Sequence, residues 1–390
     1  MSLPMPCFRQ FVLRCSACCL FMAFISTVAF AKPPALFKKN ELQVVNGKLQ
    51  GHILDFTHNH GCDRRIWSNA LCSKRDLYVY LPPGYDGVKQ FPLLIWLHGF
   101  SQDEESFLGF ATTFDRAIAS GKFPPVVLVI PDGSIRGKPT PINAGSFFLN
   151  SRAGNFEDYL MIDLWCFLCE NFALRPEKEA HALAGASMGG FSAFNLGIKH
   201  RDRFGVIAGM LPLVNLRYSD CHGRRFADFD PNCQGWVEQY RPLAYSGRIM
   251  HVIPVFQGRA MRPLAPRQEM RDFISAENPG EMLHCYDVQP GELAMWVGYG
   301  TRDGFNADAQ SESFIWHAQE RGVCVDASII PGGAHDRITA KKLFPPLAQW
   351  LGQQLGPYAP CCYPALPITA PQHEPAPLPI IAWPFLLVPH

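Results

Sequence analysis

The chain has 390 residues, with 35 Lys and Arg against 34 Asp and Glu, a formal net charge of +1 and 48% hydrophobic residues. That balance gives no electrostatic case for nucleic acid or an anionic membrane surface, and the apolar content is ample for a large core.

Arg9 and Arg14 are the only charges before Lys32, and an apolar run from Cys15 to Phe30 ends in Ala29-Phe30-Ala31. A short basic region, a brief hydrophobic stretch and an A-x-A site predict a secretory signal peptide over residues 1–31, cleaved after Ala31. The run is shorter than the roughly 20 apolar residues needed to cross a bilayer, so a retained anchor is the weaker reading. The expected location is secreted or periplasmic, where disulfides form. Cys62 with Cys72, and Cys221 with Cys233, each flank a short loop-like segment and are the two expected pairs. Cys166 and Cys169, one helical turn apart in an apolar stretch, read as buried small hydrophobes. His58, His60 and Cys62 lie close together among turn residues without a fourth ligand, and no metal is expected there.

Further along, Leu42–Val45 and Leu49–Phe56 flank Asn46-Gly47, a pair that predicts a tight hairpin between two opening strands. Asp76–Leu81 is the next strand, stopped by Pro82-Pro83-Gly84. Leu93–Leu97 and Val126–Ile130 are unbroken apolar runs, which suit strands buried on both faces of a parallel sheet. The spacing of Phe156, Leu160, Ile162 and Cys166 predicts a covering helix over residues 156–172. Ala182–Ala184 reads as a strand and Met188–His200 as a helix beginning straight after a tight turn. Val206–Met210, Leu293–Tyr299 and Val325–Ile330 are further strands. Thr339–Leu355 is the closing helix, with Pro345-Pro346 expected to break it or delay its start. Alternating strands and helices argue an α/β fold with a mostly parallel central sheet flanked by helices. Residues 214–292 carry Gly, Pro and Cys with no clear period; so long an irregular insertion predicts a lid over a site. Residues 356–390 are proline-rich and read as a disordered tail outside the core domain of residues 32–355.

The chemistry is carried by residues far apart in the chain. Gly185-Ala186-Ser187-Met188-Gly189 is a G-x-S-x-G placed between a strand and an apolar helix. A nucleophilic serine needs that context: a sharp turn exposes its hydroxyl, small neighbours let the chain fold back, and helix N-terminal amides face the developing oxyanion. Leu93–Leu97 runs into His98-Gly99-Phe100, where an early loop supplies a second amide, so the backbone N–H groups of Phe100 and Met188 are the expected oxyanion donors. His98 reads as a structural residue that holds this loop. Asp303 follows one apolar strand and His335 another, each in a turn at the rim where an open parallel sheet places its site. Asp308 is the alternative acid; Asp303 is preferred because it lies nearer the strand end. The order Ser187, Asp303, His335 is that of an α/β-hydrolase.

Leu77-Tyr78-Val79-Tyr80-Leu81-Pro82-Pro83-Gly84-Tyr85, Leu97-His98-Gly99, Gly185–Gly190, Gly300–Asp303 and Gly332–His335 together resemble the Putative esterase family. That family includes esterase D, enterochelin-esterase-like proteins, feruloyl esterases and antigen-85-type acyltransferases. The resemblance covers roughly residues 76–213 and 293–351. It implies an α/β-hydrolase fold and a serine carboxylic-ester hydrolase with no cofactor, acting on a small-molecule or polymer-linked ester. Phe147–Ser151 matches the loop where relatives place substrate-contacting residues, which makes Asn150 and Ser151 substrate-binding candidates. Two alternatives stand beside this reading: an acyltransferase of the same fold, and an inactive hydrolase fold used as a binding module. The intact elbow and base speak against the second. No nucleic acid partner and no membrane span after signal cleavage are expected.

Overall fold

Six apolar strands buried on both faces, with a more exposed strand at each edge, build one eight-stranded sheet that carries the site at one rim. The computed structural model describes residues 41–137, 145–249 and 253–360. The predicted signal segment and all but the first five residues of the predicted tail lie outside the described residues. The sheet strands are β1 (His52–Phe56), β2 (Leu77–Leu81), β3 (Leu93–Leu97), β4 (Val127–Pro131), β5 (His181–Ala186), β6 (Val206–Met210), β7 (Ala294–Gly300) and β8 (Asp326–Ile330). Their spatial order is β1-β2-β4-β3-β5-β6-β7-β8. β2 pairs antiparallel with β1 and β4, and all later neighbours run parallel. The mostly parallel α/β sheet is therefore as expected.

Side-chain alternation along these strands divides the core in two. Val79, Ile95, Val129, Leu183, Ile207 and Val297 face one cluster. It is covered by α3 (residues 156–171), α4 (Met188–Lys199), α8 (Ala307–Gln319) and the three short helices α5 (Gln257–Met261), α6 (Met270–Ala276) and α7 (Pro279–Cys285). Tyr80, Leu94, Leu128, Ala184, Ala208 and Trp296 face the other, covered by α1 (Glu41–Asn46), α2 (Ala111–Ala119) and α9 (Arg337–Leu355). No helix among the described residues is long and apolar enough to cross a membrane.

Four local expectations are corrected. Asn46-Gly47 closes helix α1 instead of turning a hairpin: Gly47 N–H donates to Gln43 O at 2.9 Å. The Asn46 amide then grips the Ile53 backbone through both its oxygen and its nitrogen, at 2.8 and 3.0 Å. In α3 the turns from Tyr159 to Leu164 are π-helical, which rotates the following residues. Phe156, Leu160, Leu164 and Leu168 are buried, whereas Ile162, Cys166 and Cys169 are exposed. The closing helix runs straight through Pro345 and Pro346 and starts early, with Asp336 accepting from Thr339 N–H at 2.8 Å. The carbonyls those prolines leave without a donor belong to Lys341 and Lys342, both exposed to water. Residues 214–292 are not irregular throughout. They hold α5–α7 and two ribbons, Tyr218–Asp220 with Gln234–Trp236 and Tyr245–Ile249 with Ile253–Phe256.

Of the two expected disulfides, Cys221–Cys233 is present and Cys62 and Cys72 are free and exposed. Ile66–Ser68 pairs antiparallel with Ser73–Arg75. Cys72 sits at the closed end of that ribbon and Cys62 beyond its open end, so the thiols face different neighbourhoods.

Candidate active site

β5 ends at Ala186, and Ser187 turns the chain into α4 with φ 56° and ψ −116°. A β-carbon on Gly189 would lie 1.9 Å from Leu97 O, and one on Gly185 would lie 2.5 Å from the Gly189 carbonyl. Only glycine lets the three backbone segments meet there. Ser187 N–H donates to Met210 O at 2.9 Å, which pins the turn to the end of β6.

The loops after β7 and β8 are tied together before they deliver their side chains. Arg302 N–H donates to Gly333 O at 2.9 Å, and Gly332 N–H to Thr301 Oγ1 at 2.9 Å. From this frame Asp303 Oδ2 lies 2.7 Å from His335 Nδ1, and His335 Nε2 lies 2.8 Å from Ser187 Oγ. The second Asp303 oxygen accepts from Phe305 N–H at 2.7 Å, and its carboxyl is sealed from solvent. A carboxylate only accepts, so Nδ1 carries the imidazole hydrogen and Nε2 is left to take the serine proton. Three predicted residues thus form one continuous hydrogen-bonded chain. Asp308 is not part of it: one of its oxygens is buried without a partner, and burial raises its pKa.

His98 is buried beneath the elbow. Gly133 N–H donates to its Nε2 at 2.8 Å, and its Nδ1 lies 2.9 Å from Gly99 O. Burial lowers its pKa, so the neutral ring bridges two loops. Phe100 and Met188 converge on Gly145: a β-carbon there would meet Met188 Sδ at 2.2 Å and Phe100 Cδ2 at 3.4 Å. Asn150 and Ser151 are engaged locally. Asn150 Nδ2 donates to Asp158 Oδ1 at 2.8 Å, and Ser151 Oγ accepts from Ala153 N–H at 3.1 Å.

Residues 68–322 match the Putative esterase family. The chain belongs to that family. An esterase of Mycobacterium tuberculosis (strain H37Rv) is 27% identical over 195 residues, which cover 47% of this chain and 40% of that protein. An S-formylglutathione hydrolase of Arabidopsis thaliana is 26% identical over 162 residues, covering 38% of this chain and 55% of that protein. The chain thus spans about half the length of the curated relatives it matches, or less. A solved ferulic acid esterase superposes with a TM-score of 0.56 at 17% identity, over 78% of this chain and 99% of the other. An S-formylglutathione hydrolase from Agrobacterium tumefaciens gives 0.55 at 14% identity, over 79% and 97%. These likenesses establish the α/β-hydrolase fold of the esterase family.

Two residues at this esterase-family rim carry no sequence signal. The Phe305 ring lies 4.7 Å from the His335 ring. Asn306, with φ 57°, directs its amide to Arg225 O at 3.1 Å and Ala227 O at 3.4 Å. Both follow Asp303 in the same loop, and the Asn306 contacts come from the insertion, whose path the sequence does not reveal. Cys221, His222 and Cys233 lie close enough to hold a metal, yet both sulfurs are consumed in the disulfide.

Proposed function

We propose that the protein is a secreted serine carboxylic-ester hydrolase with Ser187 as nucleophile, His335 as general base and Asp303 as the acid that orients it. The observation that carries this reading is the unbroken path from Asp303 through His335 to Ser187, at 2.7 and 2.8 Å. His335 Nε2 takes the Ser187 proton as Oγ attacks the ester carbonyl. Asp303 holds the ring in the required tautomer and favours its protonated form. The tetrahedral oxyanion is met by the N–H groups of Phe100 and Met188. Met188 is the first residue of α4, so its amide is one that a helix leaves without an intrahelical partner. One such donor is worth about 3 kcal/mol of barrier. His335 then protonates the departing alcohol, and water, activated by the same ring, releases the acid from Ser187.

Residues 214–292 would cap this rim. Gly247 of the second ribbon lies so close to Phe305 that a β-carbon would meet its ring at 2.2 Å, and Phe305 in turn packs on His335. Secretion is supported by the leader-like residues 1–31 and by the Cys221–Cys233 disulfide, a bond that persists in oxidising compartments.

The test is Ser187→Ala assayed with p-nitrophenyl acetate and butyrate. Turnover should fall by about 10⁴-fold or more with the circular dichroism spectrum unchanged. Turnover equal to that of the parent would remove Ser187 from the mechanism. Product analysis with an added alcohol separates hydrolysis from transfer to a second hydroxyl.

A further inference from the structure

Arg225 stands on the loop closed by Cys221–Cys233, and nothing in the described protein neutralises it. Its neighbour Arg224 pairs with Asp220 at 2.5 Å. The Arg225 side chain is half-buried and forms no hydrogen bond, ion pair or ring contact among the described residues. Burial alone lowers its pKa, with no carboxylate near enough to offset it. It remains charged at neutral pH, since guanidinium loses its proton only in strong base. A cation partly withdrawn from water without a partner is less favourable than one fully solvated.

Its position gives the charge a use. Asn306 Nδ2 holds Arg225 O at 3.1 Å, and Asn306 N–H donates to Asp303 O at 3.1 Å, so two hydrogen bonds separate the Arg225 backbone from the catalytic acid loop. Phe226, the next residue, packs on Tyr245 at 5.1 Å. Tyr245 belongs to the ribbon whose Gly247 abuts Phe305 beside His335. Arg248 lies over the same Tyr245 ring at 5.9 Å and likewise has no carboxylate partner among the described residues. Arg225 thus precedes one ring of this aromatic pair in sequence, and Arg248 lies over the other.

We propose that Arg225 is a specificity residue that binds a carboxylate carried by the ester substrate. The inference deepens the reading of Ser187 as nucleophile and rests on it. The planar fork of guanidinium accepts a carboxylate through two parallel N–H···O bonds, and the half-dry setting strengthens them. The anion would complete a charge that the apoprotein leaves unpaired.

Matched ester pairs test it. p-Nitrophenyl hemiadipate against p-nitrophenyl hexanoate places the carboxylate on the acyl side. 4-Acetoxybenzoate against its methyl ester places it on the alcohol side. After subtraction of spontaneous hydrolysis, kcat/KM should favour the carboxylate in at least one pair by about tenfold, the worth of one charge-assisted bond. Arg225→Met should abolish that preference through KM, and Arg225→Lys should restore part of it. Each preference is a ratio within one protein sample, so partial unfolding of a variant cancels. Hydrolysis of the neutral esters with no preference in either pair overturns the subsite and leaves the esterase reading intact. A preference that survives Arg225→Met assigns it elsewhere. Failure of the parent protein to cleave any of the four esters counts against the esterase reading itself.

Discussion

Ser187 occupies a backbone region that costs an L-residue about 1–3 kcal/mol, and surrounding contacts hold it there. The most sensitive of these is Gly189, because the atom that a new methyl would strike is the Leu97 carbonyl, not a side chain that could swing away. Gly189→Ala is therefore expected to lower Tm and abolish ester turnover together, as read by thermal melts and a p-nitrophenyl butyrate assay. Asp303→Asn addresses chemistry without bulk. The amide can present its NH₂ to Nδ1 and select the wrong tautomer, so kcat should drop by about 10⁴-fold with KM little changed. A drop of less than tenfold would reduce Asp303 to a spectator. A third residue concerns pH. Glu104 is buried, and desolvation, reinforced by Asp132, Asp103 and Asp76, raises its pKa well above the ordinary carboxylate value. The folded state then binds more protons than the unfolded state, so this group's contribution to stability is present at low pH and is lost as pH rises. Glu104→Gln keeps an acceptor for Asn59 Nδ2, which now sits 2.7 Å away. It should raise Tm near neutral pH, with the gain vanishing below the ordinary glutamate pKa; a Tm difference flat with pH would contradict this.

At the level of elements, what was legible in the sequence is what a strand or helix decides by itself. β2 to β7 appear because their apolar runs are buried on both faces, and the elbow appears because a glycine-flanked serine follows one strand and opens α4. Ser187, Asp303 and His335 could be found because each sits just past a strand end, a position set by local pattern. The insertion lacks such a pattern, because its buried apolar residues fall in short helices and polar side chains tie these across long separations. Arg217 is buried and reaches Val237 O at 2.9 Å and Ser275 Oγ at 2.8 Å, tying the first ribbon to α6. No periodicity announces bonds between residues so distant in sequence. The same holds for α1, where one asparagine amide replaced the expected hairpin. The Cys221–Cys233 bond closes the loop that meets Asn306, with a separation of 12 residues. Cys221→Ser with Cys233→Ser should cost about 3 kcal/mol of stability by the chain-entropy account. Urea unfolding with and without reductant measures it, and equal midpoints would show that the loop is held by its other contacts.

Across the whole molecule, the two cores share one sheet, and the insertion must be fastened to that body if it is to form a wall of the site. Beside its buried apolar contacts, such as those of Met270, Ile274, Met282 and Leu283, one fastening is ionic. Lys199 Nζ, at the end of α4, lies 2.7 Å from Glu157 of α3 and 2.6 Å from Glu277, which follows α6 in the insertion. His200 reaches the other Glu157 oxygen at 2.9 Å, and Asn195 holds Glu277 at 2.8 Å. Burial opposes the Lys199 charge, but Glu277 and Glu157 hold its pKa above the ordinary value. Burial likewise opposes the Glu157 charge, and His200 with Lys199 holds its pKa below the ordinary 4.5. The signs follow from linkage. The lysine's contribution is present below its unfolded pKa and fades as pH climbs through the raised folded one. The glutamate's is present above 4.5 and fades as pH falls through the depressed one. At pH 7 both are in place. Lys199→Met leaves two mostly buried carboxylates without their shared cation, a loss of about 2 kcal/mol once residual solvent contact is allowed for. Urea denaturation should show that deficit at pH 7 and show it narrowing as pH drops below 4.5, where Glu157 of the unfolded chain is already protonated. A variant as stable as the parent at pH 7, or a deficit indifferent to acid, would mean that the insertion is held to the sheet by its apolar contacts alone.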